Sequence, residues 1–174
     1  MQATLSSTIC TIALLTLAAS AITWYVSLQN QFIQDLRQAQ LRELAESLSS
    51  TCVELVSAAR SSARQELLVR QRLELPRLQQ GYACELSMTK RASAPESYSL
   101  SVLVESEGEP YIEVSVDVPL GQKYVSNVLV LSDGNIGDMR VTRRLESGSR
   151  QPYIFVMKEG SLLYLGLGVV SGGT

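Results

Sequence analysis

Three cysteines, two closely spaced aspartates and one glycine-rich stretch are the features of this 174-residue sequence whose residue types invite a chemical reading. Asp133 and Asp138 flank "GNIG" and could offer carboxylate oxygens to Ca²⁺, but their spacing matches no strong calcium motif, and a simple Asp-Gly turn is the plainer expectation. "GLGVVSGG", residues 166–173, neither opens a helix nor carries the lysine of a phosphate loop, so it reads as strand and tail. The sequence contains no histidine, which removes the commonest general base, metal ligand and pH switch together. Its many serines lack a positioned base and read as solvated surface. No catalytic residue, cofactor or metal site is expected, and the chain does not read as an enzyme.

The cysteines carry a structural question instead. Cys10 lies in an uncharged segment and reads as a small apolar side chain. Cys52 falls on an apolar helical stripe and Cys84 on the inward side of a strand. Outside the cell a Cys52–Cys84 bridge would close a loop of roughly 30 residues, worth ~3–4 kcal/mol in the chain-entropy model. Two buried free thiols are the alternative, since sequence cannot prove proximity.

These residues must be positioned by elements, and composition bounds which ones. The length accommodates one ordinary domain plus an appended segment. With a net charge of -2 and no basic run, the sequence argues against a nucleic-acid partner, which needs a basic stripe to neutralise phosphates.

Asp35 is the first charged residue, so residues 1–34 contain nothing that is severely penalised in hydrocarbon. The dense part, Ile9 to Val26, approaches the ~20 residues of a spanning helix, and Trp24 and Tyr25 at its end suit an interfacial belt. Ala19 and Ala21 fit a signal-peptidase pattern, but Met1 to Ser7 lacks the basic n-region of an export signal, so cleavage is not expected. From Leu28 to Leu75 there is no Gly or Pro, and Leu41, Leu44, Leu48, Cys52, Leu55, Ala59, Ala63 and Leu67 recur at helical period. One helix from about Thr4 to Leu73 is predicted, with a bend at "SLQNQFIQ", residues 27–34. Its lower half packs on the chain's own C-terminal domain, while its upper half needs lipid or other subunits.

After Pro76 the period changes to two. Strands are predicted around Tyr82–Met88, Tyr98–Val104, Ile112–Val118, Tyr124–Leu131 and Met139–Leu145, with "PYIFVMKE" and "LLYLGLGVV" joined at Glu159-Gly160. The turn spacing is that of an antiparallel sandwich or open barrel. The very apolar last strand is placed centrally, because exposed at an edge it would invite aggregation. The expected class is α+β: residues 1–27 a hydrophobic transmembrane or assembly helix, 28–75 its amphipathic continuation, and 76–174 a β-sandwich-like extracellular head. Topology is less directly written. Arg37 and Arg42 weakly favour an inside C-terminus, whereas the β-rich domain and the cysteine pair favour outside, which is the reading adopted.

This layout resembles the type IV pilin superfamily, most closely its archaeal pilin and archaellin-like branch. "TLSSTICTIALLTLAASAITWYV", residues 4–26, looks like the mature hydrophobic segment, and "LELPRLQQGYACEL", residues 73–86, is similar to the helix-to-strand junction of such proteins. Only Met1 to Ala3 precede the segment, without the Lys or Arg of a pilin leader. The acidic residue near the mature start of bacterial pilins and any Asn-x-Ser/Thr sequon are also missing. The resemblance implies a structural subunit of a cell-surface adhesion filament, inserted in the cytoplasmic membrane before assembly. It would polymerise with itself as a helical homo-oligomer. Its assembly residues would be Ile12, Ala13, Leu17, Ala18, Ala19, Ala21, Trp24 and Tyr25, the alanines permitting close approach. The alternative is a non-polymerising, membrane-anchored β-sandwich of the envelope, similar to archaellum stator or surface-layer-binding proteins. An envelope enzyme or solute-binding domain ranks last, because no polar cluster converges.

Overall fold

The protein was analysed as a computed structural model, which describes residues 2–78, 80–91, 97–120 and 125–170. Among the described residues its architecture is α+β: one helix, α1 (Gln2–Ser61), followed by ten strands in two sheets. The chain divides into two compact units, 1–39 and 40–174, so the second half of α1 belongs to the same unit as the strands.

α1 runs unbroken through residues 27–34 but stops at Ser61, more than ten residues before the predicted end, and the helical reading of 62–75 is corrected accordingly. The stop needs no Gly or Pro. Ser61 Oγ donates to the Ala58 carbonyl at 3.0 Å, the Ser62 hydroxyl accepts from the Arg64 amide at 3.3 Å, and Lys158 Nζ donates to the Ser62 carbonyl at 2.7 Å. Serine hydroxyls compete with the helical ladder, and the lysine satisfies a terminal carbonyl that the helix leaves open. Residues 66–72 then form β1 (Glu66–Arg72), antiparallel to β9 (Pro152–Glu159), with Leu67 and Val69 packed on the core. Leu67 fits both a helical and a period-two pattern, and tertiary pairing decides between them.

The first sheet has the order β1-β9-β10-β7-β6, with β5 also paired to β10; the remaining members are β10 (Leu162–Val170), β7 (Met139–Thr142), β6 (Asp133–Ile136) and β5 (Val128–Leu131). The second sheet has the order β4-β3-β2-β8, from β4 (Glu113–Asp117), β3 (Ser97–Ser106), β2 (Tyr82–Arg91) and β8 (Arg144–Glu146). The last strand is central, as its apolarity predicts: β9 flanks one side, β5 and β7 the other. Three details depart from expectation. The predicted fourth strand is ordered as strand only from Val128, and Tyr124 lies outside the described residues. The predicted fifth divides into β7 and β8, which join different sheets, and "DGNI" forms β6 rather than only a turn. The β5–β10 pair is parallel in an otherwise antiparallel arrangement.

Both sheets and the helix share one core. Leu41, Leu44, Leu48, Cys52, Leu55 and Ala59 of α1 sit in the same buried cluster as Leu86, Val102, Val104, Leu145, Val156 and Leu165. The first six are the stripe predicted from the sequence; Ala63 is exposed beyond the helix end. Ser49 Oγ donates to the Asp117 carbonyl at 3.3 Å, tying α1 to the end of β4. Tyr82, fully buried on β2, donates its hydroxyl to the Pro76 carbonyl at 2.7 Å. A Tyr82→Phe change removes that bond with little change of shape and is expected to cost about 1 kcal/mol, read as a lowered urea midpoint of the full chain in detergent.

Candidate membrane-inserting and assembly segment

An α-helix satisfies every backbone N–H and C=O internally, which is why an uncharged apolar sequence can remain helical without water. The same demand falls on its hydroxyls. Thr16 Oγ1 donates to the Ala13 carbonyl at 2.9 Å, Ser20 Oγ to the Thr16 carbonyl at 2.5 Å, and Thr23 Oγ1 to the Ala19 carbonyl at 2.9 Å. These polar side chains are thus already bonded when the segment leaves water. By length and composition α1 carries one stretch able to cross a membrane, beginning at Ile9.

Every residue from 9 to 36 is exposed in the isolated chain. Leu17 is 70% and Trp24 68% accessible, so the apolar surface faces outward on all sides rather than along one core-facing stripe. Helices that are hydrophobic all round are covered by lipid or by other helices.

The structure places Ile12, Ala13, Leu17, Ala18, Ala19, Ala21, Trp24 and Tyr25 on this exposed part of α1, but it does not gather the alanines on one face. At 100° per residue, Ala13 and Ala19 lie at the borders of a ~120° arc that also holds Thr16, Ser20 and Thr23 and, nearer the N-terminus, Ile9 and Ile12. Ala18 and Ala21 point elsewhere, among Leu14, Leu17 and Tyr25. Small side chains are what allow two helices to approach closely. Over residues 13–23 the narrow face is therefore made by Ala13, Thr16, Ala19, Ser20 and Thr23, while Ile9 and Ile12 widen it before Ala13. The three hydroxyl residues were absent from the sequence-based set, and the signal that finds them is helical phase rather than alanine count.

Cys52 and Cys84 both belong to the main core cluster, as buried free thiols. Burial raises each from an ordinary 9.0 to about 12. A group whose proton is held more tightly in the folded state stabilises fully below its unfolded pKa and loses that contribution as pH climbs toward its folded one. Between pH 9 and 12 the fold is thus expected to weaken by roughly 1 kcal/mol per thiol for each pH unit. Urea unfolding of the Cys52→Ala, Cys84→Ala chain should show a shallower slope than wild type, the remainder including Tyr82, whose hydroxyl burial also pushes up. Thiol reagents at pH 8 should spare both residues until the fold opens.

Asp133 and Asp138 belong to the β6–β7 hairpin, not to a ligand loop. Asp138 Oδ1 accepts from Arg70 Nη1 at 2.7 Å, and this bond holds the carboxyl below its usual range. Among the described residues no three His, Cys, Asp or Glu side chains are grouped to hold a metal ion. Open clefts on the head include one of ≈590 Å³ beside β1 and β9 and one of ≈400 Å³ beside Arg140 and Arg143. Comparison with protein-family models, with curated proteins and with solved structures yields no match, so what can be said of function rests on the layout of this chain alone.

Proposed function

We propose that this chain is a structural subunit of a type IV pilus-like surface filament, polymerising through residues 1–27 while its β-rich head forms the outer wall. The observation that carries the reading is the all-round exposure of residues 9–36 on a helix whose second half is anchored in a head with its own complete core. Such a segment stays uncovered in a monomer, and lipid before assembly, then neighbouring helices after it, would cover it in turn. The internally bonded hydroxyls suit both environments, and the small face gives the second one a place of closest approach.

Shearing of cells without detergent tests the proposal. The filament reading expects the chain in a sedimenting polymer released by shear alone. If it is released only by detergent, as a monomer or dimer, the chain is a membrane-anchored envelope protein and the filament reading is wrong.

A further inference from the structure

The β6–β7 hairpin is anchored at its base and packs apart from the main core. The chain enters it from β5 and leaves it into β8, and both anchors are in the main core, through Val128 and Leu145. The hairpin's own apolar side chains are not. Met139 and Val141 belong to the separate cluster with Phe155 on the outer face of the first sheet, and Ile136 packs against that cluster. Gly168 of β10 makes room there, since an added Cβ would stand 2.6 Å from Met139 Cγ. β7 also covers an edge. β5 pairs with β10 only as far as Gly166, and β7 pairs with the rest, Leu167–Val170.

The tip of the hairpin is held by different means. Asp138, in the turn between β6 and β7, accepts from Arg70 Nη1 of β1 at 2.7 Å. The same guanidinium lies 5.6 Å from the centre of the Tyr153 ring. In the order β1-β9-β10-β7 the first and last strands stand three spacings apart, ~14 Å on the flat. Twist and curl of the sheet bring the tip back to β1. The two side chains are 43% and 58% exposed, so the tie is weak and sensitive to salt. At the base, Ser132 and Arg143 stand between the hairpin and its anchors, beside the ≈400 Å³ cleft.

We infer that the β6–β7 hairpin is a strap, hinged at Ser132 and Arg143 and latched at its tip by Asp138 to Arg70. It opens as a unit while the main core stays folded. A small apolar cluster of its own and an exposed tie are the properties of a segment that opens sub-globally. Opening uncovers Phe155 and Met139 and bares the Leu167–Val170 edge of β10, a template for pairing with another chain. Closed, the strap guards that edge. The inference is independent of the filament reading, because every contact it uses lies within one head.

Hydrogen exchange of the full chain in detergent, read by mass spectrometry, tests the strap. Amides of residues 133–142, with those of β10 that bond to β7, should exchange together and well before the β2–β3 ladder at residues 83–86 and 101–104. Asp138→Asn should speed the strap about two- to fivefold, as loss of an exposed ion pair allows, and leave the β2–β3 ladder unchanged. Combining Arg70→Asp with Asp138→Arg should restore the wild-type rate. Salt at 1 M should speed the wild-type strap as Asp138→Asn does and add little in that variant. Exchange of 133–142 no faster than that of the β2–β3 ladder overturns the strap. Equal acceleration of all segments by Asp138→Asn overturns it too, because the pair then steadies the whole head. No acceleration in any segment overturns the latch.

Discussion

Ala19→Leu and Ser20→Leu are expected to abolish filaments, whereas Ala18→Leu leaves them intact, with all three variants still inserted in the membrane. The expectation separates packing from hydrophobicity. Leucine is as acceptable to hydrocarbon as alanine, so none of these changes weakens insertion. What differs is the face. Ala19 and Ser20 lie on the narrow arc with Ala13, Thr16 and Thr23, where an added isobutyl group holds a neighbouring helix away. Ala18 lies among bulky side chains, where one more changes little. Ser20→Leu also removes a hydroxyl that is already bonded within its own helix, so no polar partner is orphaned. Ala19→Arg serves as the harsher control, because a charge at the centre of a spanning helix costs ~2.5–3.5 kcal/mol on insertion scales and impairs insertion as well. Electron microscopy of sheared material reports assembly, and carbonate-resistant pelleting reports insertion. Equal loss of filaments in Ala18→Leu and Ala19→Leu would contradict a face-specific packing role.

Phe155→Ala is expected to be the most damaging single change in the head. Its ring is fully buried on the side of the first sheet opposite the main core, in a small cluster with Met139 and Val141. Truncation of a buried phenylalanine typically costs ~3–5 kcal/mol, a large part of a marginal fold. The ring lies over Gly166 of β10, where an added Cβ would stand 2.6 Å from Phe155 Cζ and 3.2 Å from the Leu131 carbonyl oxygen. Gly166→Ala alone is thus expected to destabilise by overpacking, at ~1–3 kcal/mol. In the Phe155→Ala background the principal obstacle is gone and the penalty should shrink. The double-mutant cycle should show a coupling of at least ~1 kcal/mol in urea unfolding of the full chain. Strict additivity would mean that the glycine is not there to admit the ring.

Two of the departures of the head from its sequence pattern have the same origin. Residues 62–75 read as helix because they contain no Gly or Pro and because Leu67 continues a four-residue step. Yet Ser61, Ser62 and the distant Lys158 end the helix, and only pairing with β9 reveals Leu67 and Val69 as strand residues. "DGNI" has the composition of a turn and becomes strand through its ladder to β7. In both places a partner far along the chain outweighs local preference. Patterns that are self-sufficient were legible. The stripe from Leu41 to Ala59 needs only helical period, and the centrality of β10 follows from its apolarity. The candidate assembly face stands between these cases. Its location within residues 9–26 is plain from the absence of charge, whereas its small side became visible only when phase was assigned to each residue and the hydroxyls of Thr16, Ser20 and Thr23 were found bonded inward.

The central claim is that residues 1–27 end in contact with their counterparts in other copies rather than with lipid. Electron cryomicroscopy of sheared surface material measures this most directly. The account predicts a filament whose centre is a bundle of helices containing residues 9–26, with Ala19 and Ser20 at the closest helix–helix approaches and the β heads outside. Recovery of this chain solely as a detergent-bound particle, its residues 9–26 surrounded by a micelle and touching no second copy, would contradict it.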